Sequence, residues 1–196
     1  FNVENSLAAV GAALALGLDL KVMADTLRSF GKERDHNWGR LEVYEVKGLT
    51  VVVDYGHNPA AFEQVFKWAK NLNKPLRAVI GVPGDRGEEL IQKAGQVAGR
   101  YCQWVYIKED RDLRGRKPGE VAELLKQGVM AGNTGKLKDL VIELDEVKAF
   151  QRALQDARAG EVVIIFYEHL EPIRKALQDW SAAKGQSVSQ PVAAAE

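Results

Sequence analysis

The stretch VVVDYGHNPAAF, residues 51–62, decides the fold. Val51, Val52 and Val53 run without a polar break into Asp54; Gly56, His57, Asn58 and Pro59 follow, and a helical pattern starts at once. β-branched residues with no polar alternation suit a strand covered on both faces, as in a parallel sheet. Asn58 and Pro59 suit the cap and first position of a helix, and Phe62, Val65, Phe66 and Ala69 then recur at helical spacing. In an open parallel sheet, ligands sit beyond the carboxyl ends of the strands, where Asp54 to Asn58 stand. There an acid can accept from ribose hydroxyls, a histidine can donate to a phosphate, and the helix N-terminus adds partial positive charge. The same residues also read as a plain helix cap, and the two readings are compatible.

Working outward, LEVYEVK (41–47) and LTVVV (49–53) flank Gly48 and read as paired strands. Strand-like segments then recur at 76–81, 103–108, 139–144 and 161–166, separated by helical patterns at 59–72, 87–100, 118–130, 145–158 and 170–182. This alternation predicts an α/β fold, a Rossmann-like doubly wound and mostly parallel sheet. Upstream, residues 3–16 read as an Ala- and Leu-rich helix stopped by Gly17. Asp19 then caps a second helix with the stripe Leu20, Met23, Ala24, Leu27 and Phe30, closed by Gly31. KERDHNWG (32–39) breaks all periodicity and reads as a linker, and the tail from Ser187 reads as disordered.

The 196 residues are 46% hydrophobic, enough to bury a substantial core, and 27 basic residues balance 27 acidic ones. No basic field exists to attract nucleic acid, so the expected partner is a small molecule or a protein. One cysteine, Cys102, and three scattered histidines give neither a disulfide nor a metal-site spacing. No apolar run approaches the roughly 20 residues that span a bilayer, and a reducing cytoplasm is the expected setting. The chain opens on Phe1 and enters a helical pattern almost at once, the expected start of a piece of a longer protein.

Two further blocks follow strands. GVPGDRGEE (81–89) has glycines that permit close backbone approach and offers Gly84, Asp85 and Arg86 to a ligand. IKEDRDLRGRKPGE (107–120) carries Lys108, Glu109, Asp110, Arg111, Asp112, Arg114 and Arg116, whose acids could grip a guanidinium and whose arginines could hold carboxylates. The last strand ends in FYEHLEP, bringing Tyr167, Glu168 and His169 to the same edge. Each block also reads as a solvated, charged turn, and His169 as a helix-start residue. No GxGxxG fingerprint and no GxxxxGK[ST] phosphate loop occurs.

The block GRLEVYEVKGLTVVVDYGHNP resembles the C-terminal domain of the Mur ligase superfamily, and FNVENSLAAVGAALALG resembles the segment that ends the central ATPase domain of those enzymes. The 81–89 and 107–120 blocks are most similar to the Mur-ligase-like part of cyanophycin synthetases. The resemblance implies residues 1–35 as the last helices of the ATPase domain, 36–182 as the C-terminal domain, and 183–196 as a tail. It implies Asn2 and Asn5 in the adenine pocket, Arg40 and Asp54 at ribose and phosphate, and His57 near the γ-phosphate in a catalytic role. Gly84, Asp85, Arg86, Asp110, Arg111, Arg114, Arg116 and Glu168 would face the substrate, although the FYEHLEP ending departs from arginine-adding relatives. The implied parent uses ATP and Mg²⁺ to join arginine or a related amino acid to a poly-aspartate backbone through an acyl phosphate. No metal ligand is assigned in this piece, which without a phosphate loop is expected to be inactive alone. Implied partners are the amino acid, a polyanionic peptide, the upstream ATPase domain and further copies in a homo-oligomer, with no nucleic acid or membrane. A ligase of peptidoglycan precursors or folylpolyglutamate, and a non-catalytic Mur-like scaffold, are the alternatives.

Overall fold

The computed structural model describes residues 2–30 and 38–182. Gly31, the body of the linker and the tail from residue 183 lie outside the described residues. The chain divides into two compact units, Phe1–Trp38 and Gly39–Glu196.

The first unit holds two helices, α1 (Asn2–Ala15) and α2 (Leu20–Ser29). Gly17 follows α1 at φ 77°, the left-handed conformation expected of a helix stop. The Asp19 carboxylate accepts from the N–H groups of Lys21 and Val22 at the start of α2, as its cap position predicts. Of the apolar stripe on α2, Met23 is buried, while Leu20, Leu27 and Phe30 are exposed.

The second unit is a six-stranded sheet in the order β1-β2-β6-β3-β4-β5. Its strands are β1 (Glu42–Val46), β2 (Leu49–Asp54), β3 (Leu76–Ile80), β4 (Trp104–Ile107), β5 (Asp139–Ile142) and β6 (Val162–Phe166). Between and after them run α3 (Pro59–Lys70), α4 (Glu88–Tyr101), α5 (Glu120–Gly132), α6 (Glu146–Asp156) and α7 (Leu170–Ala182). β1 pairs antiparallel with β2 through a turn at Lys47 and Gly48, both at positive φ, which matches the twist of a tight hairpin. All other pairings are parallel. The chain skips a place after β2, builds β3, β4 and β5 outward, and returns through α6 to set β6 in the gap. That return is the switch in strand order beside which ligands bind.

β2, β3 and β6 are buried along their whole length, as unalternating sequence requires of strands covered twice. Phe62 and Phe66 of α3, Ile91 of α4 and Leu125 of α5 pack on one face. Phe150 and Leu154 of α6 with Ile173 and Leu177 of α7 pack on the other.

α4 and α5 touch backbone to backbone. A Cβ on Gly95, Gly99, Gly128 or Gly132 would collide with the carbonyl oxygen of Leu125, Val129, Gln92 or Gln96, respectively. This double glycine seam fixes the spacing of the two helices, and with it the two charged loops that lead into them.

Candidate functional site

The carboxyl ends of β2, β6, β3 and β4 open onto one cleft of about 170 Å³. His57, Asp85, Arg86, Asp110, Arg114 and Glu168 all line it, joined by Tyr55, Lys108 and Tyr167. Six of the expected residues therefore meet, although they come from four different segments of the chain.

The first wall follows β2. The Asp54 side chain is 8% exposed, and its two oxygens accept the N–H groups of Leu41 (2.8 Å) and Gly56 (2.7 Å). Its carboxylate thus ties the turn preceding β1 to the loop following β2. Leu41 lies at φ 45°, a costly conformation for a branched residue, and the charge-assisted hydrogen bond from its amide offsets that cost. Gly39, also at positive φ, has no room for a Cβ because the Tyr167 hydroxyl occupies that space while donating to the Gly39 carbonyl at 2.9 Å. Burial pushes the Tyr167 phenol up to about 12, so it remains a donor at neutral pH. Below this turn Glu42 is buried, accepts from the Gly39 N–H and the Tyr44 hydroxyl, and pairs with Arg174. Burial alone would raise the Glu42 carboxyl, but the bonds from Tyr44, Arg174 and Gly39 outweigh it and hold its pKa below the usual range.

Arg40 emerges exposed from this braced turn, its guanidinium carbon 4.7 Å from the centroid of the Tyr55 ring. Tyr55 also packs near the His57 ring at 5.4 Å and the Tyr167 ring at 5.6 Å. His57 is half-buried, with Nδ1 3.2 Å from the Tyr55 carbonyl. Asn58 caps α3, its side chain accepting from the Ala61 N–H at 2.9 Å. The cap and the cleft therefore coexist.

The second wall is the loop after β3. Gly84 packs so closely on the Leu113 carbonyl that a Cβ would collide with it. Arg116, offered by its sequence to substrate, is 17% exposed and donates instead to the carbonyls of Gly84 (2.7 Å) and Arg86 (3.0 Å). It also pairs with Glu120. Its guanidinium is consumed in bracing one loop against the other. Asp85, Arg86 and Arg114 stay about half exposed, with Arg114 Nη1 3.6 Å from Asp85. Glu109 turns away and accepts from the N–H groups of Gly119 and Ala122 at 2.9 Å each, capping α5, whose Gly119 has no cap side chain.

The floor is Lys108, whose ammonium lies 2.6 Å from Asp110 and 2.8 Å from Glu146. Burial alone would lower its pKa, but the two carboxylates reverse this and hold it above the ordinary lysine value. Glu146 also accepts from the N–H groups of Glu168 (2.6 Å) and His169 (3.1 Å). Glu146 escaped the sequence reading because an acid in the first turn of a helix is an ordinary dipole complement. A larger cavity of about 210 Å³ lies alongside, sharing Asp110 and Glu168 with the cleft and lined also by Arg111 and His169. Asn2 and Asn5 belong to α1 in the first unit, where Asn5 is exposed. Among the described residues no three acidic, histidine or cysteine side chains converge to hold a metal ion, and no helix is long and apolar enough to cross a membrane.

A mostly parallel sheet with a charged cleft at its switch point is the arrangement of an α/β ligand-binding domain. The chain belongs to the Mur ligase family, residues 39–166 matching the Mur ligase, glutamate ligase domain. It is 36% identical over 168 residues to the cyanophycin synthetase of Geminocystis herdmanii (strain PCC 6308), covering 86% of this chain and 19% of that protein. Against the cyanophycin synthetase of Synechocystis sp. (strain ATCC 27184 / PCC 6803 / Kazusa) the identity is 34% with the same shares, 86% and 19%. The chain thus spans about a fifth of the length of these relatives. A solved UDP-N-acetylmuramoyl-L-alanyl-D-glutamate–2,6-diaminopimelate ligase superposes with a TM-score of 0.61 at 26% identity, covering 91% of this chain and 38% of that one. A murein peptide ligase from Psychrobacter arcticus 273-4 shares the fold, with a TM-score of 0.66 at 21% identity over 90% of this chain and 36% of that one. The expected family and fold class are borne out.

Proposed function

We propose that this chain is the C-terminal lid of an ATP-dependent ligase that joins an amine to a carboxylate, of the cyanophycin synthetase type. In this reading the parent adds arginine or a related amino acid to a poly-aspartate backbone. The observation that supports it is the single cleft that gathers Arg86, Arg114, Asp110, Glu168 and His57 at the switch point. ATP with Mg²⁺ supplies the phosphoryl group that activates the acceptor carboxylate. The amine nitrogen then bonds to the acyl carbon, the bond to phosphate oxygen breaks, and the amine gives up a proton.

The residues on this chain divide by what they leave free. Arg40, His57 and the capped start of α3 fit phosphate and ribose. Both Asp54 oxygens already accept backbone amides, so Asp54 also holds Arg40 and His57 in register. Arg86 and Arg114 suit the carboxylate of the incoming amino acid, and Asp110 and Glu168 its cationic groups. Arg116 and Gly84 hold the loop between them. Closure over the cleft would exclude water from the activated carboxylate. Among the described residues no cluster of acidic, histidine or cysteine side chains would hold Mg²⁺, and alone the unit should not turn over.

The test is ADP release by the full-length protein given ATP, Mg²⁺ and a short aspartate primer, with arginine and then each other amino acid. Arginine-dependent release that falls about 10- to 100-fold in His57→Ala and in Arg86→Ala, the worth of one charge-assisted hydrogen bond, supports the reading. Release with 2,6-diaminopimelate in place of arginine would move the chain to the peptidoglycan branch, to which a 31% identical ligase from Gloeobacter violaceus (strain ATCC 29082 / PCC 7421) belongs. No release with any amino acid, in a protein that still binds polymer, would leave a scaffold.

A further inference from the structure

We propose that Lys108 is a positioning residue for the incoming amino acid, acting through Asp110 and Glu146 to set the walls of the cleft. The inference rests on the ligase reading above and adds to it a residue that touches the chemistry only through others.

The Lys108 side chain is 1% exposed, yet it lies on the floor of a solvent-reached cleft. Room for it exists because position 81 is glycine: a Cβ there would stand 2.5 Å from Lys108 Cε and 3.1 Å from Nζ. The ammonium therefore lies across the end of β3 and reaches two partners on different elements. Asp110 belongs to the loop after β4, and Glu146 to the first turn of α6. Glu146 passes the restraint on by accepting the amides of Glu168 and His169, and Glu168 in turn accepts the amide of Arg111 at 2.9 Å. One buried cation thus fixes three segments, and Asp110 and Glu168 line both the cleft and the neighbouring cavity.

Stability does not account for such an arrangement. Burying an ammonium and its carboxylates sacrifices hydration, and apolar replacements of buried ion pairs are often neutral or stabilising. What an apolar side chain cannot do is hold two carboxylates at defined angles. The cleft's other cations, Arg86 and Arg114, are about half exposed and adjustable. Lys108 is the fixed member against which they are set.

The experiment uses the full-length protein and ADP release at varied arginine and varied ATP, for wild type, Lys108→Met and Glu146→Gln. Hydrogen exchange at the amides of Arg111, Glu168 and His169, and Tm, are measured on the same samples. The expected result is a KM for arginine raised at least 10-fold in Lys108→Met, a smaller rise in Glu146→Gln, kcat and the KM for ATP within about threefold, and faster exchange at those three amides. A folded Lys108→Met protein with an arginine KM within twofold of wild type overturns the proposal. If Lys108→Met does not fold, Glu146→Gln decides on the same terms. Wild-type protein with no amino-acid-dependent release would instead bring down the ligase reading, and this proposal with it.

Discussion

Replacing Gly128 by alanine tests whether backbone contact between α4 and α5 holds the charged loops together. An added Cβ would stand 2.8 Å from the Gln92 carbonyl carbon and 3.0 Å from its Cα, and would collide with the carbonyl oxygen. Carbon pairs rest at about 3.5–4.0 Å and the carbonyl oxygen lies nearer still, so the helices must part by roughly 1 Å. Backbone blocks the new methyl, so no rotamer change can admit it. A gap of that order forfeits about a quarter to a half of each facing contact. Ile91, Ala94, Ala98, Leu125 and Val129 are the buried side chains that would lose them. Overpacking of this kind costs about 1–3 kcal/mol, and we take the upper end because neither side can yield. Alanine returns about 1 kcal/mol of helix propensity, leaving a net loss of about 2 kcal/mol. For a chain of this size that lowers Tm by about 4–8 °C. Gly11→Ala is the control: it sits within α1 with nothing within 4 Å of the added methyl, so propensity alone acts and helix content should hold or rise. The assay is thermal unfolding followed by circular dichroism. A Gly128→Ala protein that melts at or above the wild-type temperature would refute the seam.

Two further outcomes follow from the braced turn before β1. Asp54→Asn keeps one acceptor and places an NH₂ against the second backbone amide, so stability should fall by about 1.5–3 kcal/mol and the Leu41 and Gly56 amides should exchange faster. Unchanged exchange at both would remove Asp54 from the frame. Glu42, whose folded pKa is depressed, stabilises the fold above its unfolded value of about 4.3 and loses that contribution as pH falls through its folded value. The Tm gap between wild type and Glu42→Gln should therefore be widest near pH 6 and shrink toward pH 3; a gap independent of pH would show that the carboxylate's charge contributes nothing.

The fold was legible because its signals are local. Unbroken valines ending at Asp54, the Asn58 and Pro59 cap, and the apolar spacing of Phe62 to Ala69 each specify their own element, and alternation of such elements leaves few topologies. The convergence of His57, Arg86 and Asp110 was legible for the same reason, since strand ends of a parallel sheet share an edge. What each side chain does there was not. Asp54, Glu109 and Arg116 carry the charges a ligand site needs, yet their atoms go to backbone groups of Leu41, Gly119 and Gly84, a distinction that depends on where distant amides point. The glycines of α4 and α5 were silent as well, because a helix glycine shows its cost in sequence and its partner only in space. The stripe on α2 gives its helix correctly, because periodicity says which face is apolar and not whether anything covers it.

The charged groups of the second unit thus fall into a fixed set and a free set. Asp54, Glu42, Lys108, Glu146, Glu109 and Arg116 are buried or nearly so and spend their charge on backbone, on one another or on the fixed neighbours Arg174, Asp110 and Glu120. Arg40, Asp85, Arg86, Arg111 and Arg114 are exposed, and among the described residues the one ion pair they make shorter than 3.5 Å is the 2.8 Å pair of Arg114 with Asp112. A surface loop carrying only the second kind would leave its arginines mobile, and each would lose about 0.5–1.5 kcal/mol of side-chain freedom on meeting a ligand. The first kind lowers that cost by fixing the backbone from which the arginines project. Mutation of the two sets should therefore differ in kind: loss of a free arginine weakens ligand affinity at constant Tm, whereas loss of a fixed carboxylate moves Tm and affinity together.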